Sequence, residues 1–197
     1  MNPVTNTGFF CIHSDAETEV FIMARQNNML FDQTTIFSNI SGERMTFLEV
    51  YERIIKFIKA DTRSSYRISI GTDSQVAGKT VFVTGIHVHR VGKGAIGFLH
   101  KFQMARPVKN LREKIYLETS ASLQLAYMFD DERIDKIRKL LDDKVEFEFH
   151  IDIGEKGKTK ALIAEMVGMV KGLAFVPRIK PESYCASSFA DKYTKAI

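Results

Sequence analysis

At Tyr66 the period of the chain changes. Upstream, Phe47, Val50, Tyr51, Ile54, Phe57 and Ile58 recur at helical spacing. From Tyr66 the period is two: Tyr66, Ile68, Ile70 and Thr72 alternate with Arg67, Ser69, Gly71 and Asp73. Two more β-rich runs follow at Thr80–Arg90 and Ala95–Phe102, parted by Gly92-Lys93-Gly94. Three strands joined by short turns make an antiparallel meander.

Downstream the pattern alternates. A long helix is expected over about Asn110–Phe129 and a fourth strand over Val145–Ile153, with Val145, Phe147, Phe149, Ile151 and Ile153 on one face. A helix from about Lys158 to Lys171 ends near Gly172, and Ala174–Ile179 reads as a fifth strand. Pro177 inside it calls for an edge position. A last helix covers about Glu182–Thr194. The order β-β-β-α-β-α-β-α describes an α/β protein with a mixed five-stranded sheet flanked by helices. Before it, Thr46 and Glu49 form a capping box for a helix running to about Lys59, and 38–42 reads as a turn or loop. Residues 1–36 carry no persistent period and read as an N-terminal arm, leaving 37–197 as the domain.

Composition excludes several classes. With 45% hydrophobic and 26% charged residues the chain is an ordinary globular one. No apolar run approaches the roughly 20 residues of a membrane span. Cys11 and Cys185 are too few for a disulfide framework and read as free thiols in a reducing cytoplasm. Residues 1–65 carry 6 basic and 8 acidic groups, net −2, whereas 66–197 carry 22 and 16, net +6.

Four acids stand where an acid is awkward. Asp73 lies among small residues at a strand end, where open α/β sheets form their sites; a turn-starting Asp is the bland alternative. Glu118 sits within the stripe Leu111, Ile115, Ser122, Leu125, Phe129; a carboxylate there must be paired, protonated or metal-bound, unless it reaches solvent at the stripe's edge or pairs with Lys114. Asp152 shares the minor face of its strand with Glu146, Glu148 and His150, otherwise an exposed polar face. Asp191 has Ala and Ser neighbours that would let a helix approach a metal closely; otherwise it is a surface acid beside Lys192 and Lys195. Together the four suit a pair of hard divalent cations about 3.5–4 Å apart, which take oxygen ligands and drive phosphodiester hydrolysis.

The element order with Asp, Glu, Asp, Asp at these stations resembles the ribonuclease H-like superfamily. The wording is closer to its bacterial YkuK-like family, in Phe37-Ser38-Asn39 with Ser41-Gly42, Ile70-Gly71-Thr72-Asp73-Ser74-Gln75-Val76, His87-Val88-His89-Arg90, His150-Ile151-Asp152-Ile153-Gly154 and Ala186-Ser187-Ser188-Phe189-Ala190-Asp191-Lys192. The resemblance runs from about Phe37 to the last residues. It implies a ribonuclease H-like fold, with Asp73, Glu118, Asp152 and Asp191 as catalytic ligands of two Mg²⁺ or Mn²⁺ ions. Asp73 and Asp152 would lie on adjacent strands, with Asp73 bridging both ions. Asp73-Ser74-Gln75 departs from the D-x-E motif of the 3′–5′ exonuclease branch, and the Gly-rich phosphate loops of actin-like ATPases are missing.

The implied partner is nucleic acid (RNA, DNA or a hybrid), with no membrane. Its phosphates would meet Arg90, Lys93, Lys109, Arg112, Lys158 and Lys195. A metal-dependent nuclease is the leading expectation. A non-catalytic nucleic-acid-binding module and a scaffold acting through the N-terminal arm are the alternatives. His87 and His89 read as sheet residues before zinc ligands, and Phe98 and Phe102 as core before base-stacking platforms.

Overall fold

The structure, a computed structural model, describes residues 30–156 and 159–190. Its centre is a seven-stranded sheet in the order β2-β1-β5-β4-β3-β6-β7, formed by β1 (Ile36–Asn39), β2 (Arg44–Thr46), β3 (Tyr66–Val76), β4 (Thr80–Arg90), β5 (Gly94–Met104), β6 (Val145–His150) and β7 (Val176–Arg178). The meander β3-β4-β5 is antiparallel as expected. β6 joins β3 in parallel, and β7 joins β6 in parallel at the edge, where Pro177 costs no ladder bond.

The sheet has seven strands instead of the expected five. The extra pair is the hairpin β1–β2, whose β1 also pairs with β5. Its turn was legible: Asn39 Oδ1 accepts the backbone N–H groups of Ser41 and Glu43, and Gly42 takes a positive φ of 85°. The strands on either side, of 4 and 3 residues, are too short to show a period.

Among the described residues, four α-helices accompany the sheet: α1 (Phe47–Lys59), α2 (Leu111–Tyr127), α3 (Asp131–Leu141) and α4 (Ile163–Val170), with a 3₁₀ turn at Lys160–Leu162. The capping box of α1 forms as read, with Thr46 and Glu49 serving each other's backbone N–H. Helix α3 was not expected. Asp130 caps it by accepting the N–H of Arg133, and its charged sequence buries only Ile134, Ile137 and Leu141.

The two sheet faces differ in cover. One carries the main core, where Ile68, Ile70, Ile86, Val88, Phe98, Phe147 and Phe149 meet the helices. Phe98 is fully buried there and Phe102 stacks on Phe82, so both are core residues. Phe31 is also buried in this core, and Leu30 N–H donates to Gln124 Oε1. The other face carries a π-helical segment, Cys185–Ala190, on a lane without side chains. A Cβ on Gly71 would stand 2.7 Å from the Ala186 nitrogen, and one on Gly97 would enter the Phe189 ring.

Candidate active site

Strand β3 runs on to Val76, so Asp73 lies three residues inside the strand and not at its end. In a strand, alternate residues face opposite sides. Thr72 and Ser74 therefore face α2, and Asp73 faces the side that carries Cys185–Ala190. Two polar contacts align α2 with the strand: Thr72 Oγ1 with Ser122 Oγ at 2.7 Å, and Ser74 Oγ donating to Glu118 Oε1 at 2.7 Å. They are one helical turn apart on α2 and two residues apart on β3, so the helix runs against the strand and brings Glu118 beside Asp73.

Both carboxylates are buried, Asp73 at 7% exposure and Glu118 at 5%. Glu118 Oε1 also accepts from the Lys114 ammonium at 2.6 Å, one turn earlier on α2. Thus the bland reading of Glu118 holds for its partner but not for its exposure. Burial pushes the Glu118 carboxyl up to about 7; Lys114 and Ser74 oppose this, and the Asp73 charge adds to it. Burial pulls Lys114 down, but Glu118, Asp73 and Asp152 together hold its ammonium above the ordinary value. One lysine therefore answers to three carboxylates.

Asp152 lies just beyond β6, which ends at His150, two residues short of the acid. Gly71 pairs with His150, so the chain carries Asp152 past the Asp73 side of β3. The backbone of Lys180 donates to Ile153, setting the segment after β7 alongside and bringing Lys180 Nζ to 3.0 Å from Asp152 Oδ1. That oxygen is buried and accepts no well-directed hydrogen bond.

Glu118 and Asp152 are hard oxygen donors, one with a raised carboxyl and one whose buried oxygen faces a lysine ammonium without a well-directed hydrogen bond. In donor chemistry this set fits a divalent cation. The positive charges beside them here are lysine ammoniums. Among the described residues, no group of three or more His, Cys, Asp or Glu side chains is arranged to hold a metal ion. Asp191, Lys158 and Lys195 lie outside the described residues, as does the arm up to Asn28 and Met29.

The expected phosphate contacts separate into two ends of the sheet. Arg90 pairs across from Tyr66, seven residues along β3 from Asp73, or about 23 Å at about 3.3 Å per residue. Its guanidinium donates to Tyr66 Oη and the Phe57 carbonyl and lies over the Phe57 ring. Lys93, in the neighbouring turn, pairs with Asp61 at 2.9 Å. Arg90 and Lys93 thus close the far end of the sheet instead of joining the carboxylates. Arg112, in the first turn of α2, forms a two-bonded pair with Glu165. Lys109 is exposed in the connection before α2, which is tied to Thr80 through Val108 N–H.

A second polar cluster lies on the strand face whose bland alternative is an exposed polar face, and two of its members are buried. Glu148 is 4% exposed and His150 1%. Glu148 Oε2 accepts from Ser69 Oγ at 2.8 Å and from His150 Nε2 at 3.1 Å, while Cys185 N–H donates to His150 Nδ1 at 2.9 Å. The last bond fixes the proton on Nε2 and turns His150 toward Glu148. Tyr184 Oη lies 2.8 Å from Ser69 Oγ and, since the serine proton goes to Glu148, acts as donor. His87 leans edge-on against Tyr184; burial, then His89 and His150, push it down to about 4. Sequence reasoning missed this cluster and Lys180, because each residue alone reads as a polar side chain facing water. Lys114 was visible as the residue four before Glu118.

A mixed sheet with parallel β3 and β6 delivering aspartates to one end, and a glutamate from the covering helix, is a ribonuclease H-like α/β architecture. The family model described as Ribonuclease H-like matches residues 49–195, and the chain belongs to that family. It is similar to an uncharacterized protein named YkuK from Bacillus subtilis (strain 168), with 46% identity over a 167-residue alignment that covers 81% of this chain and 97% of the relative. No solved structure matches the chain significantly. No helix among the described residues is long and apolar enough to cross a membrane.

Proposed function

We propose that this protein is a divalent-metal-dependent nuclease that hydrolyses phosphodiester bonds, with Asp73, Glu118, Asp152 and Asp191 as its ligand carboxylates. The observation that carries this reading is Lys114, half-buried against the buried Glu118 and held charged by Asp73 and Asp152 as well. So much acidic charge around one half-buried ammonium is costly for a purely structural role and suited to a cation site. Asp191 follows directly on Ala190, which packs on Val83, the cross-strand partner of Asp73. Two bound Mg²⁺ or Mn²⁺ ions would supply Lewis-acid activation of water and charge stabilisation at the departing oxygen. The chain's own part is to hold the acids together, to release Lys114 and Lys180 from Glu118 and Asp152, and to exclude bulk water by burial.

The test is incubation with Mg²⁺ or Mn²⁺ and labelled RNA, DNA and hybrid substrates. Cleavage is expected, with Asp73→Asn, Glu118→Gln, Asp152→Asn and Asp191→Asn each lowering it about 100-fold or more. Absence of cleavage, or equal cleavage by Asp73→Asn and Asp152→Asn, overturns the reading. A nucleic-acid-binding module of the same fold is the second reading. It is favoured by the lysines that already neutralise Glu118 and Asp152. Salt-sensitive binding without cleavage would establish it.

A further inference from the structure

The sheet face that bears Asp73 continues beyond the docked segment. Residues directly opposite on neighbouring strands face the same side, so the register defines rows across the sheet. One row runs Asp73, Val83, Lys101. The next runs Gly71, Gly85, Leu99, Ser38, Arg44, from β3 out to the edge strand β2. Cys185–Ala190 covers the glycine part of this face and stops at Val83 and Leu99. Beyond it a groove of about 540 Å³ lies open, with Ser38 in its floor above the buried Val83 and Leu99, flanked by Ile36 and Ile40, and bordered by Lys101 and Arg44.

At about 4.8 Å between strands, Lys101 stands about 10 Å from Asp73, and Arg44, four strands away, about 20 Å. Both cations are exposed, and among the described residues neither forms an ion pair. Of the described basic groups expected to meet phosphate, Arg90, Lys93 and Arg112 are engaged with protein partners, and Lys109 lies exposed before α2. Ile36 and Ile40 are 37% and 62% exposed, an apolar rim on a groove whose two cations have no ion pair among the described residues. Such cations beside an exposed apolar rim match the two halves of an unpaired nucleotide, phosphate and base face; a duplex keeps its base faces stacked inside.

We infer that this groove seats a single-stranded polynucleotide that runs across the strands from the Asp73 side, with Lys101 and Arg44 on its phosphates and Ile36 and Ile40 against its bases. The inference rests on the nuclease reading for its direction, since Asp73 marks where the strand reaches the chemistry. It adds the form of the substrate and the residues that hold it.

The experiment measures binding, in full-length protein carrying Asp73→Asn so that no substrate is consumed. Fluorescein-labelled strands of about 12 nucleotides are titrated by anisotropy, as single-stranded DNA, as single-stranded RNA of the same sequence, and as duplex. Lys101→Glu and Arg44→Glu are each expected to weaken single-strand binding about 10-fold, with Lys136→Glu on α3 as a control that leaves it unchanged. Lys101→Ala should lower the slope of log K against log salt by about 0.7, one phosphate contact. The ratio of DNA to RNA affinity then assigns the sugar. Unchanged affinity in both glutamate variants, or tighter binding of duplex than of single strand, overturns the inference. Cleavage by the wild type with binding indifferent to Lys101 and Arg44 removes the groove and leaves the nuclease. Binding that depends on both cations without cleavage in Mn²⁺ removes the nuclease and leaves the groove.

Discussion

Glu118 and Glu148 are the same residue type at nearly the same burial, 5% and 4% exposed, and each takes a hydrogen bond from a serine of β3. Their carboxyls shift in opposite directions. Burial pushes both up. At Glu148 the donors Ser69 and His150 and the Arg67 charge more than offset it, and the group lies below its ordinary value. Arg178 adds a guanidinium at 3.5 Å. At Glu118 only Ser74 and Lys114 answer, Asp73 repels, and the group rises to about 7. The difference lies in the supply of donors. Glu148 is fully provided for and fastens β6, β3 and the segment at Cys185 together. Glu118 is under-provided: the donors around it do not offset its burial and the Asp73 charge.

Breaking the Glu118 pair gives the largest expected effect. Lys114→Met leaves a buried carboxylate without its counter-charge and should cost about 3–5 kcal/mol at pH 8 without divalent cations. The loss should shrink at pH 5, where Glu118 holds a proton. Urea unfolding at the two pH values measures it, and an equal loss at both would mean that Glu118 is not the group concerned.

The pH dependence of Glu118 comes next. Its folded pKa, about 7, lies above its ordinary value of 4.5, so the folded state binds the proton more tightly. Its contribution to stability is complete below about 4.5 and is lost as pH rises through about 7. Glu118→Gln lacks this loss and should gain on the wild type across that window by an amount on the order of 3 kcal/mol. Unfolding curves from pH 4.5 to 8 in chelator test the sign.

Glu148→Gln should behave in the opposite sense, costing about 1–3 kcal/mol at pH 8, because it removes the charge that two arginines and two donors serve. The smallest effects separate the two serines. Ser69→Ala removes the donor to Glu148 and the acceptor of Tyr184 and should cost about 1–2 kcal/mol, whereas Ser74→Ala removes one bond and should cost about 1 kcal/mol. Thermal unfolding of the two variants side by side gives the comparison.

The meander, the capped helix α1 and the edge position of Pro177 were legible, because each follows from local period or from a single residue's backbone constraint; that β3 and the strand leading to Asp152 are neighbours was implied only by the family resemblance, and Asp152 itself lies two residues past that strand. Glu118 was legible as a misfit within an apolar stripe. The hairpin β1–β2 and helix α3 were not: the first is held by pairing with β5 and the second by three apolar side chains in a charged run. Glu146, Glu148 and His150 alternate as an exposed strand would. Only the segment laid over them, with Tyr184 and Cys185 from more than thirty residues downstream, buries Glu148 and His150. Long-range cover of this kind leaves no local trace in a sequence.

The side-chain-free lane under Cys185–Ala190 also bears on the order of events in folding. Cys185 Sγ reaches the carbonyls of Ser69 and Gly85, 116 and 100 residues away along the chain. Contacts of such separation carry a large loop-closure cost and are rewarded late. Beneath them Val83, Leu99 and Ala190 form only a small apolar cluster, whereas the opposite face holds the main core. The segment is therefore a late-closing clasp, and the groove edge at Val83 takes its final shape only after the rest of the sheet has condensed.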